Sequence, residues 1–195
     1  MNQARRTSEL FKLIRSLGYE SALVGGLAVS MRSRERFTKD IDFAVAVNSD
    51  ADAENLTFAM QQHRFELMQV VEQKSKGIMS TVRFRHPEDK IDEPSVDLLV
   101  GSSGIEREIV AEAESLELVQ GYSAPVARLP HLVAMKTLSE QESRVHDRFD
   151  LMALLKVATG AEIEESNHLV NLIEERGFNR GKDLKAELKR FIDLA

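Results

Sequence analysis

Asp40 and Asp42 stand one residue apart, fifteen residues after a Gly25-Gly26 pair. In an extended strand, residues i and i+2 share a face. The two carboxylates therefore project together while Ile41 turns to the other side. Two like charges so placed repel each other unless a cation lies between them. A hard divalent ion such as Mg²⁺ suits that place, because it takes oxygen ligands and keeps substrate phosphates in its shell. Glycines are what a backbone needs where it approaches phosphate closely, above all at a helix start. The spacing points to metal-assisted chemistry on a nucleotide.

A third acid, Asp97, interrupts the apolar run Ser95–Val100 (SVDLLV). An acid in a buried strand is costly if it stays unpaired. Two readings are open. Asp97 faces water or pairs with an arginine such as Arg83 or Arg85; or it joins Asp40 and Asp42 from a neighbouring strand. A third carboxylate lets a site hold two metal ions about 4 Å apart and can accept the proton of an attacking hydroxyl.

The elements that must position these residues can be read from periodicity. Leu10, Leu13, Ile14 and Leu17 mark a helix over 4–17, with Gly18 as its C-terminal cap. A short apolar strand over 21–24 runs into the glycines, and a helix over 27–34 follows with its N-terminus facing them. Residues 40–47 read as a strand entering a core. Asn48-Ser49-Asp50 is a turn and N-cap cluster before a helix over 51–62. Two strand-like runs, 65–73 and 78–86, flank the hairpin signal Lys74-Ser75-Lys76-Gly77, and 86–94 reads as a loop. A last strand is expected at 116–119 or 124–128. Beyond Pro130 the pattern is helical throughout: 130–141, 143–159, 163–176 and 182–194. The expected organisation is an α/β core over residues 1–128 and a C-terminal helical region over 129–195. With no Gly/Ser linker between them, the two should pack together.

The chain of 195 residues is 43% hydrophobic and 30% charged, as ordinary globular proteins are. It has no cysteine, which excludes disulfides and thiolate metal sites. No stretch approaches the roughly 20 apolar residues that span a bilayer, and the N-terminal segment lacks a secretory pattern, so a cytoplasmic protein without a membrane partner is expected. The net charge of −6 is uneven: residues 1–40 carry +4, leaving −10 for the rest. A protein binding a long duplex would be basic throughout; a local basic patch beside the glycines and aspartates suits phosphate better.

The run VGGLAVSMRSRERFTKDIDFAV, with the acid of SVDLLV after it, resembles the nucleotidyltransferase fold shared by DNA polymerase beta and kanamycin nucleotidyltransferase. Arg36-Phe37-Thr38-Lys39-Asp40-Ile41-Asp42 is most similar to the AbiEii-type family, the toxins of type IV toxin–antitoxin systems. Ala134-Met135-Lys136 and the segment Arg144–Asp150 resemble that family's downstream motif. The resemblance spans about residues 20–155.

It implies an α+β fold, a mixed sheet with flanking helices followed by a helical region. It implies that Asp40, Asp42 and Asp97 hold two Mg²⁺ ions, with Mn²⁺ as an alternative, and form the catalytic carboxylate set. It also implies that Gly25 and Gly26 cradle the triphosphate of an NTP, that Lys136 reaches its β/γ-phosphates, that Asp147 orients Lys136 or the nucleotide, and that Arg36 and Thr38 support the metal strand and touch phosphate. The implied acceptor is a hydroxyl, on an RNA 3′ end such as that of tRNA or on a protein, and the implied partner is a cognate antitoxin. Alternatives are a non-catalytic nucleotide-binding module and a small-molecule transferase of the aminoglycoside type.

Plainer readings stand beside these. Lys136 on an amphipathic helix could be a solvated residue, and Asp147 and Asp150 read as helix-surface acids, with Arg144 and Asp147 as an i,i+3 pair. Gly101–Gly104 lacks the Lys-Ser/Thr of a phosphate loop and reads as a connection. His63, His86, His131, His146 and His168 have no ligand spacing and read as surface or interface residues.

Overall fold

The computed structural model describes residues 3–34, 38, 40–86, 95–141 and 143–195. Arg36, one of the residues singled out above, lies outside them, as do Lys39 and most of the 86–94 loop.

Among the described residues the chain forms seven strands and eight helices. Their order is α1 (Gln3–Ser16), β1 (Ser21–Val24), α2 (Gly25–Arg32), β2 (Ile41–Val45), α3 (Asp50–Gln62), β3 (Glu66–Gln73), β4 (Ile78–Arg85), β5 (Val96–Leu99), α4 (Glu106–Ala111), β6 (Glu114–Val119), β7 (Tyr122–Val126), α5 (Leu129–Ser139), α6 (Val145–Val157), α7 (Gly160–Glu175) and α8 (Leu184–Ile192). The strands join in one sheet ordered β3-β4-β5-β2-β1-β7-β6. It is mixed: β2 pairs parallel with β5 and β1 with β7, and the other pairs are antiparallel.

The centre of the sheet is apolar on both faces. All four residues of β1 are buried, as are Ile41, Phe43, Ala44 and Val45 of β2. Strands covered on both faces lose the polar–apolar alternation that marks a half-exposed strand. One hydrophobic cluster runs from Leu10 and Ile14 of α1 through the sheet to Val170, Leu188 and Phe191 of the last helices. α5 is the hinge of this packing. It contacts α2, α6, α7 and α8, and residues 129–134 and 136–138 are all buried.

Local chemistry sets several boundaries. α2 begins at Gly25 itself, two residues ahead of the sequence reading, because Gly25 adopts φ +65° at the end of β1. Ser49 caps α3 by accepting from the Asp52 amide, and α7 opens on a capping box of Thr159 and Glu162. Both candidate last strands exist, as the β6–β7 hairpin at one edge of the sheet. The short α4 escaped the sequence reading. Its side chain Glu106 binds the amides of Ser102, Ser103 and Gly104 and the Ser103 hydroxyl, which fixes the connection after β5.

Candidate active site

A row of paired residues crosses four adjacent strands. Val24 of β1 lies opposite Asp42 of β2, Asp42 opposite Asp97 of β5, and Asp97 opposite Arg83 of β4. The two acids therefore stand side by side on parallel neighbours. Asp40 precedes β2 and is exposed, with its Oδ1 accepting from the Ser95 hydroxyl at 2.8 Å and amide at 3.2 Å.

Asp97 has the arginine partner that the plainer reading named, on a strand beside that of Asp42. It sits beside Asp42, and it takes a two-point bond from the Arg83 guanidinium, Nε to Oδ1 at 2.8 Å and Nη2 to Oδ2 at 2.6 Å. Asp97 is 7% exposed, so this partner removes the cost of a lone buried charge. Each oxygen retains a second lone pair. The three aspartates do not converge into one tight cluster; among the described residues the group whose ligand atoms all lie within 4.8 Å is Glu112, His131 and Glu165.

Asp42 carries the strain of this arrangement. Burial pushes its carboxyl up to about 7, and repulsion from Asp97 and then Asp40 adds to that, with Lys136 and Arg83 offsetting part of it. The oxygen-only donor set of Asp40, Asp42 and Asp97 fits a hard divalent ion.

Gly25 makes this packing feasible. A Cβ there would meet Asp42 Oδ2 at 1.9 Å and Asp42 Cγ at 2.6 Å. The same turn starts α2, whose N-cap Val24 offers no side-chain cap to the first amides. These amides open on the cleft that the aspartates line, a cavity of 610 Å³ that also takes in Gly26, Thr38, Lys136 and Asp147.

Lys136 is a buried residue of α5 and not a solvated one. Its Nζ lies 2.6 Å from Asp147 Oδ1 and 2.8 Å from Asp150 Oδ2. Asp150 is likewise no surface acid: it is 1% exposed. Arg144 adds a looser contact, Nη1 to Asp147 Oδ2 at 3.5 Å, so the expected i,i+3 pair is present. The ammonium is thereby held between two carboxylates of α6 at the wall of the cleft.

The structure brings two further basic residues to the same wall, Arg144 and Arg180. Arg180 lies in the α7–α8 turn and donates to the carbonyl and hydroxyl of Ser102. Arg180 carried no sequence signal, since only the docking of the C-terminal helices places it there; Arg144 stood in the downstream motif and in the expected pair with Asp147, but its place on the cleft wall was not read. Of the basic segment 32–39, residues 32–34 and 38 are described. Arg32 bonds the carbonyls of Val126 and Ala127 and the Glu114 carboxylate, and among the described residues of that segment only Thr38 lines the cleft.

The family described as nucleotidyl transferase AbiEii toxin, type IV toxin–antitoxin system, matches residues 10–194. The chain belongs to the AbiEii family. It is a nucleotidyltransferase with the fold expected from the family's motifs. A search of curated proteins finds no significant match. Among solved structures the chain is similar to an antigenic nucleotidyltransferase-like protein from Paracoccidioides brasiliensis, with 20% identity, a TM-score of 0.52, and 95% of this chain and 91% of that one covered. It is also similar to the lincosamide antibiotic adenylyltransferase LnuA in its lincomycin-bound form, at 12% identity and TM-score 0.50 over 81% of this chain and 98% of that one. ANT(2'')-Ia in complex with adenylyl-2''-tobramycin gives 12% identity and TM-score 0.50 over 90% and 99% of the two chains. At these identities the likeness is one of fold. No described helix is long and apolar enough to cross a membrane.

Proposed function

We propose that this AbiEii-family protein transfers a nucleoside monophosphate from an NTP to a hydroxyl on an RNA 3′ end or a protein, as the toxin of a toxin–antitoxin pair whose antitoxin is a separate chain. The observation that carries the reading is the Asp42–Asp97 pairing on adjacent parallel strands, with Asp40 beside it and the uncapped start of α2 and Lys136 in the same cleft.

In this reading Asp40, Asp42 and Asp97 would hold Mg²⁺, two ions at full occupancy, with Mn²⁺ as a substitute. When bound, the ions supply charge neutralisation at the phosphates and a lowered pKa for the acceptor hydroxyl. The chain's own residues do the rest. The first amides of α2, at Gly25 and Gly26, face the triphosphate, where the helix dipole favours anions. Thr38 and, from the sequence motif, Arg36 flank the metal strand. Lys136 has three N–H donors, two directed at Asp147 and Asp150, which leaves one for a phosphate oxygen. Asp147 and Asp150 fix the place of that charge. Arg83 fixes the orientation of Asp97, so that its outer lone pairs face Asp42 and the acceptor. Attack of the acceptor oxygen on the α-phosphorus forms the new P–O bond and breaks the bond to the pyrophosphate leaving group, the acceptor proton passing to Asp97. Such a reaction depends on placement and charge more than on covalent chemistry by the protein.

The division into a 1–128 core and a 129–195 helical region belongs to the same reading, with α5 as the element through which the helices deliver Lys136. So does a cytoplasmic location, where NTP and tRNA are both at hand.

The test is incubation of the chain with each labelled NTP, Mg²⁺, and either total tRNA or cell extract, beside a panel of aminoglycosides and lincosamides. Label on RNA or protein that disappears in Asp40→Ala/Asp42→Ala supports the proposal. Label on an antibiotic alone identifies a small-molecule transferase. NTP binding without any transfer identifies a binding module.

A further inference from the structure

His131 opens onto a second cluster, outside the cleft. It lies in the first turn of α5 and is 0% exposed, where the sequence reading had a surface or interface residue, and neither ring nitrogen has a hydrogen-bond partner. A buried imidazole that makes no hydrogen bond forfeits the free energy of desolvating two polar atoms. Its Nε2 points toward Glu112, 3.8 Å from Oε2. Glu112 caps the C-terminus of α4, and Glu165 on α7 completes the group, all ligand atoms within 4.8 Å of one another.

We propose that Glu112, His131 and Glu165 form a structural site for a divalent first-row transition ion such as Zn²⁺, separate from the catalytic cleft. One imidazole nitrogen with two carboxylates is a donor set such ions accept, whereas Mg²⁺ and Ca²⁺ favour oxygen alone. Bond lengths of about 2.0–2.2 Å place tetrahedral ligands roughly 3.3 Å apart. The Nε2–Oε2 separation therefore needs to close by about half an ångström. The outer side of the group is accessible, since the Glu112 side chain is half exposed.

Arg128 now occupies the two carboxylates, with Nη1 at 2.8 Å from Glu112 and at 2.6 Å from Glu165 and Nη2 at 2.8 Å from Glu165. One arginine against two glutamates leaves one negative charge of the group uncompensated. Arg128 is the placeholder with which the ion exchanges, and its partly exposed side chain can turn to solvent. The bound ion would tie the end of α4 and the middle of α7 to the start of α5, five residues before Lys136.

The test uses the full chain carrying Asp40→Asn and Asp42→Asn, stripped of metal, so that the cleft does not compete. Co²⁺ is the probe, read by its visible absorption and by the rise in Tm. One equivalent is expected to bind. Glu112→Gln and Glu165→Gln should each weaken it 10–100-fold, and His131→Gln should abolish the visible band. Arg128→Gln should tighten binding severalfold, an effect that no purely packing role for the cluster produces. If His131→Gln does not fold, the Glu165 and Arg128 variants carry the test. Absence of Co²⁺ uptake overturns the proposal. So does undiminished uptake in the glutamate variants, which places the ion on the more exposed histidines, and so does weakened binding in Arg128→Gln.

Discussion

Gly25→Ala is the substitution whose cost can be worked furthest from the geometry. Two separate penalties meet there. The backbone sits at φ +65°, where an L residue costs about 1–2 kcal/mol. The new methyl would also fall 1.9 Å from Asp42 Oδ2, 2.6 Å from Cγ and 2.8 Å from Cβ. Rotating the carboxylate away cannot clear a contact with Cβ, so β1 or β2 must shift, and overpacking of this kind costs roughly 1–3 kcal/mol. Gly18 is the internal control: its φ is +89°, but nothing lies within 4 Å of a Cβ built there. Gly18→Ala should therefore show the backbone penalty alone. For a chain of this size, about 2–4 °C of Tm accompany each kcal/mol. Gly18→Ala should lose about 2–8 °C, and Gly25→Ala about 4–20 °C, the combined penalty being about 2–5 kcal/mol. Thermal and urea unfolding measure both. A double-mutant cycle then isolates the clash: in an Asp42→Gly background the close atoms are gone, and Gly25→Ala should cost no more than Gly18→Ala does. An equal cost of Gly25→Ala in both backgrounds would refute the reasoning, because close approach to Asp42 would then not be what demands glycine.

The ionisation of Asp42 predicts an unusual pH dependence. Its folded pKa of about 7 lies above the ordinary value of 3.8, so between those limits the folded state holds the extra proton and metal-free stability falls as pH rises from about 4 to 7; Asp42→Asn should flatten that slope in urea titrations. The same proton competes with the cation, so Mg²⁺ affinity measured by calorimetry should drop about tenfold per pH unit below 7. Lys136→Met leaves Asp147 and Asp150 without their shared counter-charge and should destabilise the chain by about 3–5 kcal/mol in chemical unfolding, whereas Asp147→Asn, which keeps the Asp150 contact, should cost clearly less. Arg83→Gln removes the fork on Asp97; it should lower transfer rate or metal affinity 10–100-fold. Because Arg83 is 44% exposed, its stability cost should stay near 1–2 kcal/mol.

Much of the site could be read before the fold was known, and the reasons are local. Asp40 and Asp42 announce themselves because a strand repeats every two residues, and the glycines because a sharp turn before a helix admits little else. Asp97 could be suspected from its apolar neighbours, but its pairing with both Asp42 and Arg83 depends on strand order, which no local pattern encodes. Lys136 and His131 lie on α5, which is buried nearly all round, and Asp150 on the buried side of α6; periodicity says which side chains share a stripe but not what covers each stripe. Asp150 therefore reads as a surface acid and His131 as a surface or interface residue, and for Lys136 a solvated reading stands beside the phosphate one. Arg180 was invisible for the same reason, and α4 because six residues held by one glutamate leave no period to detect.

The row from Val24 through Asp42 and Asp97 to Arg83 also governs when the site can exist. Its acids are 55 residues apart in sequence and meet only through a parallel pairing, and contacts of that range close slowly. Lys136 joins later still, on a helix whose partners α6 and α7 follow it along the chain. During synthesis, the growing polypeptide thus carries its aspartates and glycines long before they form a site. The strands of the carboxylate row end at Leu99, whereas the lysine must await the helices that pack around α5.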